Sequence, residues 1–104
     1  MNIIISLDSK IQTQIITEYL ADSNCNIVDT IEEADVVLFD IYHYSNYEHY
    51  ENIKGKKWII LYPGSVDYQC ITIMTFFRKK GADCRRIGVP FYKEELIELL
   101  KTLN

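Results

Sequence analysis

The feature that most limits how this chain can fold is the stretch Ala34-Asp35-Val36-Val37-Leu38-Phe39-Asp40. Val36 to Phe39 form an apolar run with no polar break. A strand with one wet face alternates apolar and polar residues; a strand covered on both faces does not. The stretch Asp35 to Asp40 therefore reads as a central strand of a parallel sheet. In such sheets ligands sit beyond the carboxyl ends of the strands. That makes Asp40 the first candidate site residue.

The remaining segments fit around that strand. Asn2 to Leu7 is β-branched and nearly continuous, a first buried strand. Ser9 is a natural N-cap, and Gln12 completes a capping box for a helix running to about Ala21. Ile11, Ile15, Ile16, Tyr19 and Leu20 make its expected apolar stripe. Cys25 to Asp29 is a short second strand, and Thr30 to Glu33 has room for one helical turn only. Trp58 to Tyr62 is a buried strand closed by Pro63-Gly64. Asp67 is placed to cap a helix from Tyr68 to Lys80, with Cys70, Ile73, Met74 and Phe77 inward and Gly81 at the C′ position. Cys84 to Val89 is a final strand. Lys93 to Leu103 carries the stripe Leu96, Leu99, Leu100 and Leu103. Strands alternating with helices imply an α/β three-layer sandwich around a parallel sheet.

The length of 104 residues suits one domain, residues 1–104, with a core large enough to need no staples. A net charge of -4 argues against general nucleic-acid binding. Cys25, Cys70 and Cys84 are odd in number, form no C-x-x-C and follow no signal peptide; a reducing cytoplasm is expected. No apolar run is long enough for a membrane span.

Ala34-Asp35-Val36-Val37-Leu38-Phe39-Asp40, followed by Gly81-Ala82-Asp83, Val89-Pro90-Phe91 and Glu95-Leu96-Ile97, resembles the receiver domain of bacterial response regulators. The resemblance implies a flavodoxin-like five-stranded parallel sheet of order 2-1-3-4-5, here with a very short second helix. It implies Asp40 as phospho-acceptor and Asp8 with Asp40 as the candidate Mg²⁺ ligands. Receivers carry two acids after the first strand; here Leu7-Asp8 or Asp8-Ser9 supplies one. The small hydroxyl after the fourth strand corresponds to Tyr62, with Ser65 three residues on, and the lysine before the last proline corresponds to Val89. Losing a charge-assisted contact costs more than losing a neutral one. The resemblance thus implies a degenerate, or pseudo-, receiver. It is expected to be a non-catalytic two-component signalling module with no required cofactor, binding protein rather than transferring phosphate.

Two alternatives remain open: an atypical phospho-accepting receiver using Asp40, and a small enzyme. Glu33-Ala34-Asp35-Val36-Val37 with Gly55-Lys56-Lys57-Trp58-Ile59-Ile60-Leu61-Tyr62 is also similar to nucleoside deoxyribosyltransferase-type proteins. No glycine-rich phosphate loop follows the first strand, however. Asp8 could equally serve the turn that opens the first helix, and Asp67 is the one further acid near that edge.

Residues 41–52 hold Tyr42, His43, Tyr44, Tyr47, His49 and Tyr50. They suit a helix or a wrapped loop, and the His43–His49 spacing is not a zinc-site spacing. Tyrosines with one apolar and one wet end serve cores and interfaces alike. Phe76, Tyr92, Tyr44 and Tyr47 are the interface candidates, with a protein partner or homodimer expected through the face built from residues 68–103. Lys54, Lys56, Lys57, Arg78, Lys79, Lys80, Arg85 and Arg86 are expected at the amino edge of the sheet, opposite Asp8 and Asp40. A basic patch there would suit an acidic partner, or it could simply reflect the preference of helix C-termini for cations.

Overall fold

The computed structural model describes residues 1–64 and 67–103. Ser65 lies outside the described residues, as does the Asp67 side chain on which the expected helix cap rests. Five strands, β1 (Asn2–Ser6), β2 (Asn26–Ile27), β3 (Val36–Asp40), β4 (Lys57–Pro63) and β5 (Asp83–Val89), form one sheet in the order β2-β1-β3-β4-β5. Every strand pair is parallel. Three α-helices accompany it: α1 (Lys10–Leu20), α2 (Asp67–Lys79) and α3 (Lys93–Thr102). This is the α/β sandwich read from the pattern of apolar runs, with the flavodoxin-like strand order that the receiver resemblance implied.

The two faces of the sheet make two cores, and the alternation along each strand decides which residue joins which. Val37, Phe39, Trp58, Ile60 and Cys84 pack with Cys70, Ile73, Met74 and Phe77 of α2. Val36, Leu38, Ile59, Leu61 and Ile87 pack with Ile16 and Leu20 of α1 and with Leu96, Leu100 and Leu103 at α3. All five residues of β3 are buried, as its unbroken apolar run requires. Trp58 stacks on Phe77 with ring centroids 4.4 Å apart. Fully burying such side chains contributes about 1.5–3 kcal/mol each.

The ends of the helices follow from single residues. Ser9 Oγ accepts from Gln12 N at 3.1 Å and caps α1. After α2, Gly81 has φ +86°, and Ala82 N donates to Phe77 O while Gly81 N donates to Arg78 O. This is the six-to-one and five-to-two pair that closes a helix through a left-handed glycine.

Two local expectations, on α1 and on the second strand, are corrected, and for residues 41–52 the structure takes the wrapped loop of the two alternatives. In α1 only Ile16 and Leu20 are buried; Ile11 and Ile15 are 72% and 40% exposed. The inner arc is set by the row Ile16–Leu20, and the other isoleucines lie round the helix from it. The second strand shrinks to Asn26–Ile27, both exposed, because it pairs with β1 alone at the edge of the sheet. Residues 41–52 form no α-helix: a 3-10 turn at Tyr44–Asn46 and another at Ile53–Gly55 wrap the segment over the sheet. Its Tyr47 takes the place of a helical core residue, set edge-on to Phe39 and Trp58. The short connection before β3 is a 3-10 turn, Ile31–Glu33. Lys56, 8% exposed, pins it by donating to Glu32 O at 3.2 Å and Ala34 O at 2.7 Å.

Candidate functional site

The carboxyl ends of β1, β3 and β4 converge on one edge. Asp40 ends β3 and is 8% exposed. Its Oδ2 accepts from Asp8 N at 2.8 Å. Its Oδ1 accepts from Tyr42 N at 3.0 Å and His43 N at 3.1 Å. One carboxylate thus ties the end of β1 to the end of β3 and folds the next segment back over the sheet. Asp8, by contrast, points its own side chain outward. It is exposed, and among the described residues its carboxylate has no partner.

Asp8, Asp40, Tyr42, Leu61, Tyr62 and Val89 meet around a pocket of about 250 Å³. The two acids, the tyrosine and the valine singled out in the sequence therefore do come together. Their arrangement does not suit a small divalent cation, which needs several hard oxygens in near-octahedral order. Three main-chain N–H donors occupy Asp40, one on Oδ2 and two on Oδ1, and among the described residues the Asp8 carboxylate has no hydrogen-bond partner. No group of three or more His, Cys, Asp or Glu is placed to hold a metal ion among the described residues. The Mg²⁺ that the receiver resemblance implies does not fit here. No Lys, Arg or His lines the pocket, and neither does a glutamate.

Tyr62 stands over β5. A Cβ at Gly88 would lie 3.3 Å from the Tyr62 Cζ and Oη, so the glycine makes room for the ring. The Arg86 guanidinium lies 5.6 Å from the centroid of the same ring. A further polar group at this edge went unread in the sequence. The Ser6 hydroxyl is 2.9 Å from His43 Nδ1, and Asn46 Nδ2 donates to that nitrogen at 3.3 Å. Nothing in the local sequence marks this pairing, since Ser6 and His43 are 37 residues apart. His43 is accordingly a packed residue, whereas the His49 side chain is 91% exposed and 3.7 Å from Glu48.

The aromatic interface candidates separate. Tyr47 is a core residue, 8% exposed. Tyr44 and Phe76 are half-buried against each other, with centroids 5.4 Å apart. Burial, with a smaller push from Glu48, holds the Tyr44 hydroxyl above its ordinary pKa. Tyr92, 75% exposed, opens α3 in the opposite layer, so Phe76 and Tyr92 do not share a face. The basic edge is likewise partly consumed. Lys56 is buried, Arg78 donates to Cys84 O, Arg85 pairs with Asp83, and the Lys80 ammonium sits 5.6 Å from the Phe76 ring centroid. Arg85 and Arg86 lie in mid-strand opposite Ile59 and Ile60, not at the amino edge.

No protein-family model and no curated protein matches the chain. Among solved structures, a response regulator from Thermotoga maritima superposes with a TM-score of 0.68. The match covers 98% of this chain and 95% of that one, at 18% sequence identity. The likeness is one of fold: a receiver-like arrangement of sheet and helices. No helix among the described residues is long and apolar enough to cross a membrane.

Proposed function

We propose that this chain is a non-catalytic signalling or regulatory module: a single receiver-like domain, working in the cytoplasm, whose phosphorylation site is degenerate and whose role is to bind protein. The observation that carries this is the state of Asp40. A phospho-acceptor must present an oxygen to the incoming phosphorus, and here three main-chain N–H groups already hold the carboxylate, two on Oδ1 and one on Oδ2, so it is engaged as a structural acceptor. Valine and tyrosine stand where a cation and a small hydroxyl would be needed to hold the transferred group. Phosphoryl transfer depends almost wholly on positioning and charge neutralisation, and neither is provided for. The partner surface is proposed within residues 68–103, on the outer side of α2 with the exposed Tyr68; Tyr92, in the opposite layer, lies apart from it.

A second reading, an atypical phospho-accepting receiver, is favoured by one fact: Asp8 and Asp40 do line the same pocket. Incubation with acetyl phosphate or beryllofluoride and Mg²⁺, followed by intact mass and amide chemical shifts, separates the two. The module reading expects no adduct. A stoichiometric adduct that disappears in Asp40→Asn would overturn it, provided the variant is shown to be folded. A deoxyribosyltransferase-like enzyme needs a nucleophilic carboxylate in the cleft; of the two acids that line it, Asp40 is held by three main-chain N–H groups and Asp8 is exposed.

A further inference from the structure

We propose that the carboxyl edge of the sheet is a docking groove for a partner polypeptide that presents a lysine or arginine. The cationic head meets Asp8, and the aliphatic stem lies among Tyr42, Leu61, Tyr62 and Val89. This rests on the reading of the chain as a protein-binding module and specifies the chemistry its partner brings.

The pocket at Asp8 does not stand alone. It shares Ile41 and Tyr42 with a larger cavity of about 560 Å³ bounded by Tyr68, Thr72 and Ile73. The two cavities are neighbours along this edge, flanked by Tyr42 at 69% and Tyr68 at 84% exposure. Exposed aromatics around an apolar recess mark sites of protein contact more often than solvated surface. The smaller cavity lies below the range that holds a typical small-molecule ligand, so it suits a single side chain. The groove then accommodates the flanking residues of the same peptide against Tyr42 and Tyr68.

Charge selects the side chain. No Lys, Arg or His lines either cavity. Arg86 lies outside the lining, with its guanidinium 5.6 Å from the Tyr62 ring centroid, so a phosphate, a carboxylate or a nucleic-acid backbone would meet the Asp8 and Asp40 carboxylates and no lining cation. A purely apolar side chain would fill the walls but bury the Asp8 carboxylate beside it without a partner, which is costly. A lysine or arginine satisfies both parts, because its stem packs on apolar surface while its head stays at the rim. Tyrosine faces nearby add an attraction for the cation. The net charge of -4 draws basic partners toward the molecule at long range.

The test is amide shift mapping on the whole chain. The probes are N-acetyl-lysine N-methylamide and its arginine counterpart, set against the norleucine and glutamate counterparts. Saturable shifts are expected at Asp8, Tyr42, Tyr62 and Val89 with lysine or arginine. Binding about tenfold weaker is expected with norleucine and in Asp8→Asn. Asp8→Asn keeps the backbone N–H that serves Asp40 and alters only an exposed side chain, so it should fold as the parent does. Equal response to norleucine, no saturable shift with lysine or arginine, a preference for glutamate, or unchanged binding in Asp8→Asn each overturns the proposal. The acetyl phosphate experiment is read on covalent mass, so the module reading and the groove fail independently.

Discussion

At the scale of single residues, Asp40 shows how a strand-end acid can carry a structural task at the place where chemistry is sought. An aspartate at the carboxyl end of a central strand is where chemistry would be sought, yet its carboxylate is a structural clasp. Asp40→Ala removes the carboxylate and strands the N–H groups of Asp8 and Tyr42, while His43 N keeps its bond to the Asp40 carbonyl. Unsatisfied buried donors are expensive, and a loss of about 2–4 kcal/mol is expected in urea unfolding. Asp40→Asn should lose less, since one oxygen still accepts; a variant as stable as the parent would contradict the clasp. Cys84 makes a second residue-level prediction. Burial pushes its thiol up from 9.0 to about 12. The unfolded thiol ionises first as pH rises, so the unfolded state binds fewer protons and stability falls between pH 9 and about 12. This contribution is intact below pH 9. Stability measured at pH 8 and pH 10.5 should drop more in the parent than in Cys84→Ala.

At the scale of elements, periodicity locates a helix better than it locates the helix's buried arc. All five positions of the α1 stripe are apolar, but only Ile16 and Leu20 reach the core. Ile16→Ala should cost about 2–5 kcal/mol, the usual range for large-to-small core changes. Ile11→Gln should fall within about 0.5 kcal/mol of the parent, as surface changes do. Thermal or urea melts of the pair decide whether the stripe was divided correctly. The segment after β3 teaches the reverse lesson. Its tyrosines recur every third residue, which a helix or a loop can use, and the loop prevails. Trp58 Nε1 donates to Ile53 O at 2.8 Å and Tyr47 packs against the indole, which fixes the wrapped path. Trp58→Phe keeps most of the buried ring and removes that donor. A loss of about 1–3 kcal/mol is expected, from the lost hydrogen bond and the volume left empty, although Ile53 O keeps its bond from Lys56 N.

At the scale of the whole molecule, stability should be highest at the centre of the sheet and lowest at β2. The amides of Leu38, Phe39, Ile59 and Ile60 lie between covered faces, whereas Asn26 and Ile27 form an exposed two-residue edge. Hydrogen exchange should find the first group protected to the global unfolding free energy and the second opening locally; equal protection would contradict the picture. Apart from the extent of β2 and the form of residues 41–52, the sequence by itself determined the layered α/β class, the parallel sheet, the limits of the longer helices and central strands and most of the core. These depend on local rules: a period of two or 3.6, a cap, a left-handed glycine. The strand order was legible only through the motif resemblance at Asp40 and around Pro90. What only the tertiary structure decided is which polar groups are already engaged. Asp8 N reaches Asp40 across 32 residues of chain, and Lys56 finds its carbonyls 22 and 24 residues back. Those partners exist because β1 lies beside β3 in the register Ile3 to Val36 and Ser6 to Phe39, and because β4 starts beside Val36. A side chain's availability for chemistry depends on contacts that distant segments supply. No local pattern encodes them, so the carboxylate that looked most functional proved to be the most occupied, and the one at the rim was left open.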